Sequence, residues 1–217
     1  FALPGQKPAE LDHEIEQLLE LSPDHIGIYG LSIETDTQLK QLVDIGQISE
    51  LDEEAYAESY LRLNHMLTKA DYEHYEISNF ARPGSRCRHN QAYWQRKTCL
   101  AAGAGAHGFA AQGYGRRTSI TTDLERYQQQ LDAAQNPAEL LENFDRQQAM
   151  AETLYLALRT SDGIDSRDFL EKFGISLDNA FPQVIARLSP QLQKKNARYF
   201  FTAEGWLLYD HLISHFL

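Results

Sequence analysis

The stretch that decides the fold is HIGIYGLSI, residues 25–33. It is short, mostly apolar and bounded by turn-forming residues, so it predicts a buried strand. Residues 8–21 precede it, with apolar side chains at the spacing of one helix face. The chain opens with FALPGQ, a pattern that predicts the end of a strand running into a turn. Strand, helix and buried strand in this order predict a βαβ unit with parallel pairing and a right-handed crossover.

The same alternation continues along the chain. Residues 34–48 are polar and predict a loop, and a second amphipathic helix follows and ends near Ala70. HYEISNF, residues 74–80, predicts the next strand. Its alternation places Glu76 on one face, and a buried carboxylate is rare unless it is paired, so Glu76 has either a polar role or a half-exposed position. The repeated order of strands and helices predicts an α/β fold.

Composition excludes several classes of protein. The 217 residues are 42% hydrophobic, which suits one large domain or two modest ones. The net charge of -11 disfavours binding to nucleic acid. Cys87 and Cys99 form no disulfide framework, and they fit a reducing cytoplasm. Neither a membrane span nor a signal peptide is predicted. Since the chain opens without methionine, we expect it to be the later part of a longer protein.

The pattern changes near residue 140. Helical and strand patterns then follow in the order of a winged-helix domain, over residues 145–159, 161–174, 179–192, 198–202 and 203–217. The sequence therefore predicts two domains, residues 1–139 and 140–217. The helix that would enter a DNA groove carries only Arg187 as a base, so a protein-interaction or lid role is favoured over DNA binding.

Two segments contain residues that could bind a ligand or take part in a reaction. RCRHNQAYW, residues 86–94, places Cys87 and His89 beside two aromatic side chains that could stack on a flat ligand. A lone histidine is more often structural, and no second ligand stands at zinc-like spacing, so both interpretations stay open. GAGAHG, residues 103–108, permits either close backbone approach to a ligand or tight packing. It is not the dinucleotide fingerprint.

Taken in order, five segments of the chain resemble one family. FALPGQ, PDHIGIYGLSIE, HYEISNFARPG, CRHNQAYW and AGAGAHGF resemble the HemW-like proteins. These are radical S-adenosylmethionine (SAM) proteins related to oxygen-independent coproporphyrinogen III oxidase, HemN. The resemblance covers essentially the whole chain. It implies that residues 1–139 are later strands and helices of a partial TIM-type radical SAM barrel, and that residues 140–217 are a small winged-helix-like HemN-type domain.

The resemblance also implies cofactors. Members hold a [4Fe–4S] cluster on a CxxxCxxC motif and bind SAM on its unique iron. This chain has no such motif, so we expect no metal site within it, and alone it should be inactive as an enzyme. The SAM pocket is implied at Tyr29, Gly30, Leu100, Ala101 and Ala102. The family usually has glycine where this chain has Ala101, and the added methyl is expected to narrow the backbone approach there.

The motif HNxxYW separates HemW-like proteins from the true oxidases. The resemblance therefore implies a heme or porphyrin site at His89, Asn90, Tyr93 and Trp94. HemW-like members are regarded as heme chaperones that bind heme and hand it to acceptor proteins. One alternative is the oxidase itself, which decarboxylates propionates to vinyls. Another is a regulatory winged-helix protein with a vestigial barrel, and whether the protein is an enzyme stays open.

Overall fold

A computed structural model describes residues 1–189 and 191–217. They form two compact units, Phe1–Cys87 with Thr202–Tyr209, and Arg88–Phe201 with Asp210–Leu217. The helices are α1 (Pro8–Glu20), α2 (Gln38–Asp44), α3 (Glu53–Lys69), α4 (Arg88–Trp94), α5 (Leu124–Asp132), α6 (Arg146–Ala157), α7 (Ser166–Phe173), α8 (Leu177–Ala180), α9 (Pro182–Leu188), α10 (Ala203–Leu207) and α11 (Tyr209–Ile213). The strands are β1 (His25–Gly27), β2 (Glu73–Glu76), β3 (Asn79–Ala81), β4 (His107–Ala110), β5 (Arg116–Ile120), β6 (Ala138–Asn143), β7 (Ile164–Asp165), β8 (Leu192–Lys195) and β9 (Arg198–Phe201).

The core of the first unit lies between α1, α3 and a small sheet. The buried apolar side chains are Leu11, Ile15, Ile26, Leu63, Leu67, Tyr72 and Phe80. Both helices were predicted from the 3.6-residue spacing of these side chains, and both are present. Complete burial of each leucine stabilises the unit by about 1.5–3 kcal/mol. The Asp52 side chain caps α3 by accepting a hydrogen bond from the Ala55 N–H at 2.8 Å.

The sheet of the first unit corrects the predicted pairing. Its strand order is β1-β3-β2, and both pairs are antiparallel. The first residue of the chain does make a contact of the parallel kind. The Phe1 amino group donates to the Tyr29 carbonyl at 3.0 Å. The Leu31 N–H donates to the Phe1 carbonyl at 2.9 Å, and the two bonds together frame Gly30 as a parallel neighbour does.

Residues 74–80 are not one strand, as the alternation predicted, but the hairpin of β2 and β3. Glu76 closes the turn between them, because its carboxylate accepts hydrogen bonds from the Ser78 N–H and the Asn79 amide. Its side chain is buried, with 1% of the residue exposed. The predicted loop over 34–48 contains the unpredicted helix α2, which Thr37 caps through the Lys40 N–H.

His74 is a buried histidine in this sheet. Its Nε2–H donates to the Ile77 carbonyl at 3.1 Å. Its ring stacks on Phe80 at 4.1 Å and meets the edge of Trp206 at 4.6 Å. Burial disfavours the charged ring and lowers the pKa of His74 from 6.5 to about 4.

The depressed pKa of His74 predicts acid sensitivity. Between pH 6.5 and 4 the unfolded chain takes up a proton at His74 and the folded chain does not, so stability falls as the pH falls. The free energy of unfolding decreases between pH 6.5 and 4, and we expect this decrease to be about 3 kcal/mol smaller in His74→Phe than in wild type. Urea unfolding at several pH values measures this, with the exposed His65→Phe as control. An unchanged pH slope in His74→Phe would contradict the assignment.

The second unit has two three-stranded antiparallel sheets, in the orders β4-β5-β6 and β7-β9-β8. Strand β5 is the central strand of the first of these sheets and pairs with both β4 and β6. Strand β6 was not predicted, and it contains the predicted boundary between residues 139 and 140. The two compact units do not follow the division into 1–139 and 140–217, which stays a prediction about the family's domains.

Short side chains and a glycine set the helix ends in the second unit. Asp145 caps α6 through the Gln148 N–H at 2.8 Å. Asp165 caps α7 through the Arg167 N–H, and Gly174 ends α7 at φ 66. The helix predicted over 179–192 is wrong in extent, since α8 and α9 are separated by Phe181 and residue 192 begins β8. The last helix is likewise divided into α10 and α11, and a 3₁₀ turn follows α11.

Candidate functional site

The motif-bearing segment forms the short helix α4. His89 and Tyr93 stand one turn apart on its exposed surface, with ring centroids 5.5 Å apart. His89 borders an open depression of about 580 Å³, a size that accepts a small-molecule ligand. Its lining residues are Arg88, His89, Gln91, Ala92, Gln95 and Lys97. Across the described parts of the chain, no hydrogen bond or ion pair engages the His89 ring, so both its nitrogens are open to a ligand.

Trp94 faces a different environment from His89. The Arg159 guanidinium lies over its ring at 5.0 Å. The Trp94 indole nitrogen is buried and has no hydrogen-bond partner among residues 1–189 and 191–217. Asn90 is half-buried. The structure therefore brings the rings of His89 and Tyr93 together, but neither Tyr93 nor Trp94 is among the described residues that line the depression.

The turn after α4 holds this helix in place. The Arg96 N–H donates to the Tyr93 carbonyl at 3.0 Å and the Lys97 N–H to the Ala92 carbonyl at 2.9 Å. This is the Schellman pattern, in which the residue at C′ takes a left-handed conformation and is usually glycine. Here that residue is Arg96, with φ 49. A non-glycine residue is strained there, so other contacts must hold Arg96 in place.

Those contacts are a buried ionic network. Arg96 is 5% exposed, and its Nε–H donates to Glu152 at 2.6 Å. Its Nη2 donates to the Tyr114 carbonyl at 3.0 Å, and its guanidinium packs over the rings of Phe109 and Phe144, 4.9 and 5.0 Å from their centroids. Burial lowers the pKa of Arg96 below its usual value.

Glu152 on α6 has a second cationic partner, because its other oxygen accepts a hydrogen bond from Arg117 on β5. The network therefore ties the end of α4 to α6 and to the sheet. Sequence reasoning missed it, since Arg96 and Glu152 are 56 residues apart and neither belongs to a motif.

The implied SAM residues of the first unit differ in accessibility. Tyr29 is 68% exposed. Gly30 is covered by the end of the Tyr56 ring, and a Cβ built on Gly30 would lie 2.3 Å from the Tyr56 hydroxyl. Burial raises the pKa of this Tyr56 hydroxyl. The position that a side chain at Gly30 would take is thus occupied by the Tyr56 ring.

The implied SAM residues of the second unit lie beside β4. Leu100 is 92% exposed, and it follows Cys99, which forms an isolated antiparallel bridge with Phe109. A Cβ built on Gly108 would lie 3.3 Å from the Ala101 methyl and 2.8 Å from Thr118 Oγ1. The methyl of Ala101 therefore lies against Gly108, and this glycine is required by packing.

Cysteines and metal-ligand clusters give no further site. Cys87 and Cys99 are free thiols. Within residues 1–189 and 191–217, no group of three or more His, Cys, Asp or Glu side chains is arranged to hold a metal ion. Among the described helices, none is both long and apolar enough to cross a membrane.

Comparison with known proteins identifies the class. The HemN C-terminal domain matches residues 144–208. The heme chaperone HemW of Bacillus subtilis is 30% identical over 219 residues, which is 100% of this chain and 57% of that protein. Radical S-adenosyl methionine domain-containing protein 1 of Bos taurus is 39% identical over 54% of this chain and 27% of that protein. The chain thus spans little more than half the length of the curated relatives it matches over its whole length.

A solved structure confirms the fold. The radical SAM enzyme coproporphyrinogen III oxidase, HemN, from Escherichia coli superposes with a TM-score of 0.72. The match covers 100% of this chain and 53% of that one, at 16% identity. The mixed α/β arrangement of this chain is therefore similar to that of about half of the HemN structure. The sequence relatives and the structural match together show that the chain belongs to the HemW-like family of radical SAM proteins, a heme-related family. Residues 144–208 of the chain match the HemN C-terminal domain.

Proposed function

We propose that this chain is the heme-binding part of a HemW-like protein that delivers heme to an acceptor protein. The observation that carries the proposal is the position of His89, exposed on α4 at the edge of an open depression. Imidazole is a common axial ligand of heme iron. Tyr93, 40% exposed, adds an aromatic face one turn away, against which a flat macrocycle can pack.

The anchoring of α4 suits this function. A ligand site needs side chains held on a rigid element. The Arg96–Glu152 pair and the turn after Trp94 fix the C-terminal end of α4. His89 and Tyr93 then need little reordering when heme binds, which favours affinity.

We propose that the whole protein also carries the [4Fe–4S] cluster and SAM, with the cluster cysteines outside residues 1–217. The bound cluster and SAM supply radical chemistry. By the family resemblance, Tyr29 and Gly30 of the first unit and Leu100, Ala101 and Ala102 of the second unit are each assigned to SAM binding, and the side chains of Tyr29 and Leu100 are exposed. The proposal extends to a partial barrel over 1–139 and a winged-helix-like domain over 140–217, supported by the HemN likeness. It also extends to a cytoplasmic location, which the two free cysteines suit.

A second function, that of a coproporphyrinogen III oxidase, is favoured by the structural match to HemN. The HNxxYW motif at His89–Trp94 argues for the chaperone. Incubating the full-length protein with coproporphyrinogen III decides between them: decarboxylated product would favour the oxidase, and heme transfer without product would favour the chaperone.

Heme titration tests the proposed site. We expect saturable binding of hemin by this chain, followed at the Soret band. His89→Ala should weaken binding by about tenfold to a hundredfold, since altering even outer ligands of a metal site costs that much. His65→Ala is the matched control, because His65 is also an exposed histidine on a helix. Equal affinity of wild type, His65→Ala and His89→Ala would contradict the role of His89.

A further inference from the structure

The rim of the α4 depression carries two positive charges without partners. Arg88 and Lys97 both line it, and both are exposed. In the described residues, neither has a carboxylate within ion-pair distance. Arg96, adjacent in sequence, is by contrast paired with Glu152.

The positive charge of this depression contrasts with the net negative charge of the chain. The chain has 31 acidic residues against 20 lysines and arginines. No Asp or Glu is among the described residues that line the depression, where the other polar groups are His89 and the amides of Gln91 and Gln95. A cationic depression on an acidic chain attracts an anionic ligand and selects for its negative groups.

The turn after α4 keeps the second cation at the site. The Lys97 N–H is bonded to the Ala92 carbonyl at 2.9 Å, so the backbone of Lys97 returns to the helix that carries Arg88 and His89. Arg88 offers a planar fork that binds a carboxylate with two hydrogen bonds, and Lys97 offers a point charge. The depression thus presents one imidazole and two cationic side chains of different geometry.

We infer that this depression selects porphyrins that carry two carboxylates, with Arg88 and Lys97 binding the two propionates while His89 faces the metal. This inference rests on the proposed heme function and deepens it. Two cations match the two propionates on one edge of heme. They do not match the four propionates around a coproporphyrin. The two carboxylate contacts do not involve iron, so an iron-free dicarboxylate porphyrin should also bind, without the contribution of His89.

A thermodynamic cycle tests the inference. Hemin and its dimethyl ester are titrated into wild type and into the double variant Arg88→Gln/Lys97→Gln. We expect wild type to bind hemin about tenfold more tightly than the ester, as two exposed ion pairs contribute. The double variant should bind both within about twofold. Arg116→Gln is the control, because Arg116 is exposed on β5 and lies outside the depression, and it should keep the wild-type preference.

The possible outcomes distinguish failure of carboxylate selection from failure of heme binding. Equal binding of hemin and ester by wild type, or a preference that survives in the double variant, would overturn carboxylate selection and leave heme binding intact. Failure of wild type to bind either ligand would overturn the proposed function and the inference with it. The ratio of the affinities for hemin and the ester is compared between wild type and the variant, so the different solubilities of the two ligands affect both ratios equally.

Discussion

Glu152→Gln is expected to lower the free energy of unfolding by about 3–5 kcal/mol, because it leaves a buried guanidinium without its counter-charge. The Arg96 side chain is 3% exposed and that of Glu152 is 13% exposed, so water cannot replace the lost partner. The carboxylate also binds Arg117, and the substitution therefore leaves two cations close together without the carboxylate between them. Chemical denaturation followed by circular dichroism measures the change.

The matched control is Glu139→Gln. Glu139 pairs with Arg126 at the surface, where the two side chains are 54% and 55% exposed. Removing this pair should change the free energy of unfolding by no more than about 1 kcal/mol. If both variants lose the same small amount, the Arg96 network does not anchor α4.

Gly163→Ala is expected to cost about 3–5 kcal/mol, since left-handed strain and overpacking add. Gly163 has φ 57, and a Cβ there would lie 2.0 Å from the Tyr199 carbonyl oxygen. That oxygen belongs to β9, the central strand of its sheet, so the backbone cannot move aside cheaply. Thermal or denaturant unfolding of the variant measures the cost.

Gly174→Ala separates the two contributions to that cost. Gly174 has a similar φ of 66, but a Cβ there would meet nothing within 4 Å. It should therefore cost only the conformational strain, about 1–2 kcal/mol. Equal destabilisation by the two variants would show that the contact with Tyr199 is relieved without cost.

Helices with regular apolar spacing could be predicted from the sequence. The faces of α1 and α3 are visible in the sequence as apolar side chains three and four residues apart. These features depend on residues close together in the chain, which a single sequence displays directly.

Features that depend on distant partners could not be predicted. The alternation in residues 74–80 does not reveal that the Glu76 carboxylate bonds within the segment and turns it back. Strand β6 exposes both Leu140 and Leu141, and a bulge interrupts its pairing with β5, so its pattern does not resemble a half-buried strand.

The candidate site was predicted in part. The resemblance pointed to His89 and Tyr93, and the structure places their rings near each other. The inward packing of Trp94 and the cover that Tyr56 places over Gly30 depend on contacts from other elements. The unpaired state of Arg88 and Lys97 could not be inferred either, because it depends on where every carboxylate of the unit lies.

The proposed heme site at α4 requires that His89 be a ligand of the iron. Pulsed electron paramagnetic resonance on the ferric heme complex, prepared with ¹⁵N-labelled histidine, detects coupling from a coordinated imidazole. If His89 binds the iron, the ¹⁵N coupling is present in wild type and in His65→Ala and disappears in His89→Ala. The same coupling in His89→Ala, or none in wild type, would contradict a heme site at α4.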